Sequence, residues 1–362
     1  MERVQQWWCK CCRRSFTFRS GTSRHHFTRV FIKEAVKDFV QGRSSYAVIK
    51  ERKGVAIGTL SKWVHRYGVG CMSPQEIATT LGLTNHNRWS GILILDGKYL
   101  NRQSVLLLAI DYDTMDVVTH LTATGETKEN YTALVSSVKD CGYVIGAVVS
   151  DGCPGILALT QPRSLPPLKG TRRYPRPGIT PGISRQPLLF GVPHQLCVVH
   201  MQRDVEASTR KFTKEERQRL HNLTKEILFA PTLKQAEKAK ERLILEAYQN
   251  HKYTPVVKMI VSRWPLLTAH FTIRVKRRKI PRDTNTAENT ISYLNSRLKT
   301  MRRIRSHSSA QAISNLIVVN YRTKPLINTK NKLKRGKGPL ALAMGKNKKL
   351  DWMRFIKNHA VK

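Results

Sequence analysis

Between residues 90 and 201 the apolar positions come in short continuous runs. GILILD (91–96), QSVLLLAIDYD (103–113) and DVVTHLTAT (116–124) have strand length and are separated by short turns. Continuous apolar runs bounded by turn signals read as buried strands. TKENYTALVSSVKDCG (127–142) changes period. Tyr131, Leu134, Val135 and Val138 share one helical face, Thr127 and Asn130 suit its start, and Gly142 suits its end. VIGAVVSDG (144–152) reads as a fourth strand and HQLCVVHM (194–201) as a fifth. The order is β-β-β-α-β rather than the alternation of a doubly wound nucleotide fold. The prediction is an α/β mixed-sheet core that begins at about residue 90.

On either side the pattern is helical or irregular. In GRSSYAVIKERKGVAIGTLSKWVHRYG (42–68), Ser44 or Ser45 caps a short helix carrying Ala47, Val48 and Ile49. Gly54 marks a turn, and Leu60, Val64 and Tyr67 recur at helical spacing. That is the helix-turn-helix pattern, whose second helix enters the major groove. An ordinary αα-hairpin has the same periodicity, but Lys50, Arg52, Lys53, Lys62 and Arg66, with Thr59 and Ser61, favour DNA. Residues 69–89 are polar and read as a linker. Residues 161–193 are too rich in Pro and Gly for a packed element and read as a basic loop. Residues 202–280 read as a helical insertion, with KQAEKAKERLILEAYQ (234–249) its clearest amphipathic piece, and 324–362 as a mobile basic tail.

Charge turns this outline towards nucleic acid. The 362 residues include 64 Lys+Arg against 24 Asp+Glu, a formal net charge of +40. Charge on that scale opposes compaction and suits a polyanion. No membrane-length apolar stretch and no signal-peptide pattern is present, so the expected partner is DNA or RNA and the expected location cytoplasmic and DNA-associated. The seven cysteines are odd in number and unevenly spread, which does not suggest a disulfide framework. In the basic segment 1–41, Cys9 and Cys12 form a C-x-x-C resembling half a zinc ribbon. A structural zinc site needs four ligands, and the next cysteine is Cys71, with His25 and His26 at no familiar spacing. Either the other half is missing or these thiols are free.

The candidate chemistry lies where apolar strands meet acids. Asp96 and Asp151 each end a predicted strand, and a buried carboxylate is costly unless paired, solvated or metal-bound. In a β-β-β-α-β unit the first and fourth strands can lie side by side, bringing the two acids together. That arrangement needs protonation or a divalent cation, and Mg²⁺ suits hard oxygen ligands. Asp-Gly is also a common turn pair, and both acids precede Gly. A third acid, Glu288, sits in the first turn of a helix striped by Ala287, Ile291, Leu294, Leu298 and Met301. Asn285-x-x-Glu288 is equally the spacing of a capping box. Asp111 and Asp113 could compete as ligands, but they end a strand expected at the opposite edge. The basic run RVKRRKIPRD (274–283), with Lys276, Arg277 and Arg278, precedes the Glu288 helix, and Arg302 and Arg303 follow it. These residues would line a DNA approach.

Asp96, Asp151 and Glu288, with Cys197-x-x-His200 after the second Asp and TNTAEN…LNSRLK around the Glu, resemble the signature of the Mutator-type insertion-sequence group of DDE transposases. The resemblance spans residues 90–323. It implies a ribonuclease-H-like core, Asp96, Asp151 and Glu288 as ligands of two Mg²⁺ (or Mn²⁺) ions, and phosphoryl transfer that nicks element ends and joins them to target DNA. For Cys197 and His200 three readings stay open: core packing, a zinc site with Cys153 and His194, or buttressing of the centre with His200 contacting DNA near the cut. Holding two ends together implies a homodimer on DNA. The lengthened gap between Asp151 and Cys197 and the incomplete zinc ribbon depart from the group. They keep open an inactive DNA-binding derivative, and a nuclease that only hydrolyses is the other alternative.

Overall fold

The computed structural model describes residues 6–13, 15–17, 27–42, 44–160, 188–298, 304, 306–327, 329, 331–346 and 349–357. Most of the Pro-rich loop (161–187), His25, His26, Met301, Arg302 and Arg303 lie outside the described residues.

The chain opens with a hairpin of β1 (Gln6–Trp8) and β2 (Ser15–Thr17), then α1 (Arg29–Val40), α2 (Tyr46–Lys53) and α3 (Ile57–Val69). Ser45 is the residue that caps α2, accepting the Val48 N–H at 3.3 Å. Gly54 closes the helix at φ 67°, a backbone conformation open to glycine at little cost. Residues 69–89 are not a loose linker. Ser73 and Glu76 form a reciprocal capping box on α4 (Pro74–Thr80), and Ile77, Ala78 and Leu83 are buried.

The core is a five-stranded mixed sheet of β3 (Ile92–Tyr99), β4 (Val105–Asp111), β5 (Val117–Ala123), β6 (Ala147–Ser150) and β7 (His194–Leu196). Its order is β5-β4-β3-β6-β7. The first three strands pair antiparallel, whereas β3–β6 and β6–β7 pair parallel. Between β5 and β6 runs α5 (Lys128–Asp140), capped by Thr127 and burying the four predicted apolar residues. The strand, helix and strand order is as predicted, but two boundaries differ. β3 does not stop at Asp96, because β4 continues to pair with it as far as Tyr99↔Val105, while pairing with β6 ends at Leu95↔Ser150. HQLCVVHM is a strand for three residues only. Val198, Met201 and Val205 are buried at helical spacing, so the chain turns at Cys197 into α7 (Val198–Ser208).

After β6 comes α6 (Pro154–Thr160). Beyond α7 the insertion is α8 (Lys214–Leu228), α9 (Leu233–Gln249), α10 (Thr254–Ser262) and α11 (Trp264–Thr272). Together with α7 these helices enclose their own apolar core around Leu220, Leu243 and Ile260. The basic run is a hairpin of β8 (Arg274–Val275) and β9 (Arg278–Lys279), turning through Lys276 and Arg277 at φ 49° and 67°. Then follow α12 (Asn285–Leu298), α13 (His307–Thr323) and α14 (Pro339–Met344). Among the described residues no helix is long and apolar enough to cross a membrane.

The N-terminal helices, the sheet and the C-terminal segment share one apolar core. The predicted mobile tail is corrected by burial of Leu340, Trp352 and Phe355, and by the Met72 N–H donating to Phe355 O at 2.8 Å. The apolar residues dispersed among its lysines are what seat it. Helix α3 meets α13 backbone to backbone, because a Cβ at Gly68 would collide with the Ala312 carbonyl. Gly68→Ala is therefore expected to cost about 1–3 kcal/mol, as overpacked sites do. Urea denaturation measures this, and a loss below about 0.5 kcal/mol, the scatter of ordinary surface changes, would contradict so tight a seat.

Candidate active site

Asp96 lies one residue past the last β3–β6 pair, and Asp151 directly follows β6, so parallel pairing sets the two acids next to each other. Asp96 is 9% exposed, and its Oδ1 accepts the Gly97 N–H at 2.8 Å. Asp151 Oδ1 accepts the Cys153 N–H at 3.0 Å. Burial first, and then the Asp151 charge, push the Asp96 carboxyl up to about 7, against the pull of His200 and the Gly97 N–H.

Cys197 and His200 sit at the junction of β7 and α7, with Cys197 as the residue before the helix. Burial pushes the Cys197 thiol up, but hydrogen bonding from His200 and Thr284 outweighs it and leaves the thiol below its ordinary value. The His200 imidazole is raised to about 9 by hydrogen bonding to Cys197, and further by the Cys197, Asp151 and Asp96 charges, against burial. Cys197 also ties two helices together. Thr284 Oγ1 donates to its Sγ at 3.4 Å, and the Val198 N–H donates to Arg282 O at 3.0 Å, so the starts of α7 and α12 are stitched.

Glu288 stands in the first turn of α12, which packs against β3. No capping box forms. Asn285 is already helical, its N–H goes to Asp283 Oδ1 at 3.1 Å, and the Glu288 N–H goes to Thr284 O at 3.0 Å. The Glu288 carboxylate instead meets Arg203 Nη1 of α7 at 3.5 Å. Among the described residues no three His, Cys, Asp or Glu side chains converge to hold a metal ion. The structure thus joins Asp96 and Asp151, with His200 close by, and leaves Glu288 on the Arg203 guanidinium.

Two further acids border the pair. Glu126 accepts from Tyr131 OH at 3.0 Å and fills the space that a Cβ at Gly97 would need. Burial and then Asp151 raise its carboxyl. Asp204, on α7, faces Arg263 at 3.8 Å and is raised mainly by burial. The sequence reading missed Glu126, Arg203 and Asp204. The last two follow His200 by three and four positions, a helical neighbourhood hidden while that stretch was read as a strand.

Asp111 is spent on structure. Its oxygens accept from Ser90 N–H and Oγ, Thr114 N–H and Oγ1, and Tyr143 OH, at the end of β3 opposite to Asp96. Asp113 pairs with Arg278 and Lys334. Of the basic candidates, Arg52, Lys62, Arg66 and Arg277 are exposed, as is Ser61, and Thr59 is half-buried. Lys53 turns inward to Glu34 and Asp38, at 3.7 and 3.3 Å. Lys276 Nζ donates to Trp89 O at 2.9 Å. Cys9 and Cys12 are free thiols in the turn after β1, where hydrogen bonding from Cys12 and Cys11 lowers the Cys9 thiol.

Residues 184–322 match the sequence model of the family described as Transposase, Mutator family. No curated protein matches the chain. The matched stretch holds Cys197, His200, Arg203 and Glu288, while Asp96 and Asp151 precede it. Over residues 184–322, less than half of its length, the chain is thus similar to the Mutator family of transposases.

Proposed function

We propose that this protein cleaves the DNA ends of its own mobile element and joins them to target DNA by metal-dependent phosphoryl transfer. The observation that carries this reading is the juxtaposition of Asp96 and Asp151 beyond the last β3–β6 pair. The strand order β5-β4-β3-β6-β7 with one antiparallel flank and α5 as the crossover supports a ribonuclease-H-like core. The donor set fits a hard divalent cation. Each acid has one oxygen on a backbone N–H, while Oδ2 of each accepts nothing from the described residues, and the two charges repel without a cation between them. Asp96, Asp151 and Glu288 would hold two Mg²⁺ or Mn²⁺ ions, which supply an activated hydroxyl and charge stabilisation at the leaving oxygen when bound.

The chain's own residues do the rest. The parallel β3–β6 pairing sets Asp96 and Asp151 side by side, as ligands of the ions would need to be. His200, raised to about 9 beside them, carries positive charge that offsets their repulsion. Arg277 at the tip of its hairpin neutralises the backbone of the approaching duplex, as Arg302 and Arg303 would. Helices α2 and α3 act as a helix-turn-helix, presenting Arg52, Thr59, Ser61, Lys62 and Arg66 to the major groove. Lys53, held by Glu34 and Asp38, steadies that unit rather than touching DNA. A homodimer on DNA follows from the need to hold two ends. A structural zinc at Cys9 and Cys12 would need two more ligands from outside the turn.

The test is nicking and joining of labelled DNA from the flanks of the gene, with Mg²⁺, for the wild type and Asp151→Ala. The variant is expected to lose cleavage on the order of 10²–10³-fold or more, and to keep end binding. Tight end binding by the wild type with no nicking in Mg²⁺ or Mn²⁺ would overturn the reading in favour of a DNA-binding derivative.

A further inference from the structure

Helix α7 and the residue before it place four functional side chains within about two turns: Cys197 before the helix, then His200, Arg203 and Asp204. The first is bonded to the residue that precedes α12, and His200 lies beside Asp96 and Asp151. Arg203 takes neither role. It is 58% exposed, with its guanidinium 3.5 Å from Glu288, itself 40% exposed. Arg203 is the only partner that the described residues give the Glu288 carboxylate.

We propose that Arg203 is an electrostatic latch on Glu288. In DNA-free protein the ion pair holds this carboxylate away from the Asp96–Asp151 pair. A DNA phosphate entering the site takes the guanidinium and frees Glu288 to complete the ligand set. The inference rests on the metal reading above and adds to it the order of events. Three features make the exchange feasible. Both partners are open to solvent, so the pair is weak and reversible. Guanidinium binds phosphate with the same fork geometry that it offers a carboxylate, and a phosphodiester competes directly for it. The Cys197–Thr284 and Val198–Arg282 stitches fix the helix starts, so release moves the Glu288 side chain without undocking α12. Arg203 is thus a positioning residue that delays assembly of the centre until substrate arrives.

The test reads metal binding directly, in the absence of DNA. Mn²⁺ affinity is measured by calorimetry or electron paramagnetic resonance for the full chain, with Asp96→Asn as the control that defines site-specific binding. Arg203→Gln is expected to tighten Mn²⁺ by about two- to fivefold, the scale an exposed ion pair supports. Glu288→Gln is expected to abolish that gain, and Arg203→Lys to behave like the wild type. An unchanged affinity in Arg203→Gln would overturn the latch, as would a gain that persists in Glu288→Gln, since that marks a general charge effect. If the wild type binds no Mn²⁺ that Asp96→Asn removes, the metal reading falls and the latch falls with it. Site-specific Mn²⁺ binding that Arg203→Gln leaves unaltered removes the latch alone.

Discussion

Asp96→Asn is expected to abolish cleavage and, in metal-free protein, to raise stability. The loss of activity follows from removing one of the two carboxylates that meet beyond the β3–β6 pair, and should be on the order of 10²–10³-fold or more. The gain has a separate cause. An Asp carboxyl that ionises near 3.8 in the open chain is raised to about 7 in the fold, by burial and by Asp151. A raised carboxyl means the folded state holds the proton longer than the unfolded one. The stability of the neutral form is therefore fully present below about pH 4 and is lost as pH rises to about 7. Asparagine keeps the acceptor for the Gly97 N–H and carries no charge. The variant and the wild type should melt together near pH 4 and diverge steadily between pH 4 and 7. Above pH 7 the difference should level off on the order of 4 kcal/mol, at about 1.4 kcal/mol per pH unit. Thermal melts in chelator across that range decide it, and a constant offset at every pH would remove Asp96 as the source.

The largest structural effect is expected at Arg322. Its Nε and Nη2 donate to the two oxygens of Asp116 at 2.8 and 2.9 Å, and Trp89 Nε1 adds a third bond at 3.2 Å. Arg322 is 2% exposed and Asp116 is 0% exposed, so the pair lies inside the core where α13 crosses the start of β5. Arg322→Met leaves a buried carboxylate with only an indole N–H, which should cost about 3–5 kcal/mol. Adding Asp116→Leu should recover much of that, because a buried pair replaced on both sides by apolar groups is often near neutral. The recovery will be incomplete, since Trp89 then loses its acceptor, at about 1–3 kcal/mol. Urea midpoints of the two variants measure both terms. A single-variant loss under about 1 kcal/mol, the ceiling for an exposed pair, would show that water reaches the pair.

Strands β4 and β6, and β3 as far as Asp96, were legible because they are buried on both faces, which writes them as nearly unbroken apolar runs. The end of β3 was not. An acid after four apolar residues looks like a terminus, but Gly97–Tyr99 pair with β4 through backbone groups, which do not depend on side-chain polarity. The Cys197–His200 stretch failed for a related reason. Val198 and Val199 favour strands locally, and only the buried Met201 and Val205, three and seven residues beyond Val198, set the helical period. The pairing of Asp96 with Asp151 could be reasoned from strand order. Glu126 could not, because it enters from a loop and is held by Tyr131 and the missing side chain of Gly97. The C-terminal lysines hid a seated segment for the opposite reason, since dispersed apolar residues give no period to read.

The backbone contact between Gly68 and Ala312 bears on where a cut can fall. Helix α3 does not swing on a tether; it is clamped to α13, which lies over β5 of the sheet that carries the paired acids. On the reading proposed above, the bases gripped by α3 and the bond presented to Asp96 and Asp151 are held as by two jaws of one gauge. The protein would then measure DNA as well as read it. Its element ends would carry the recognised sequence at one set number of base pairs from the terminus, with little tolerance for an inserted step.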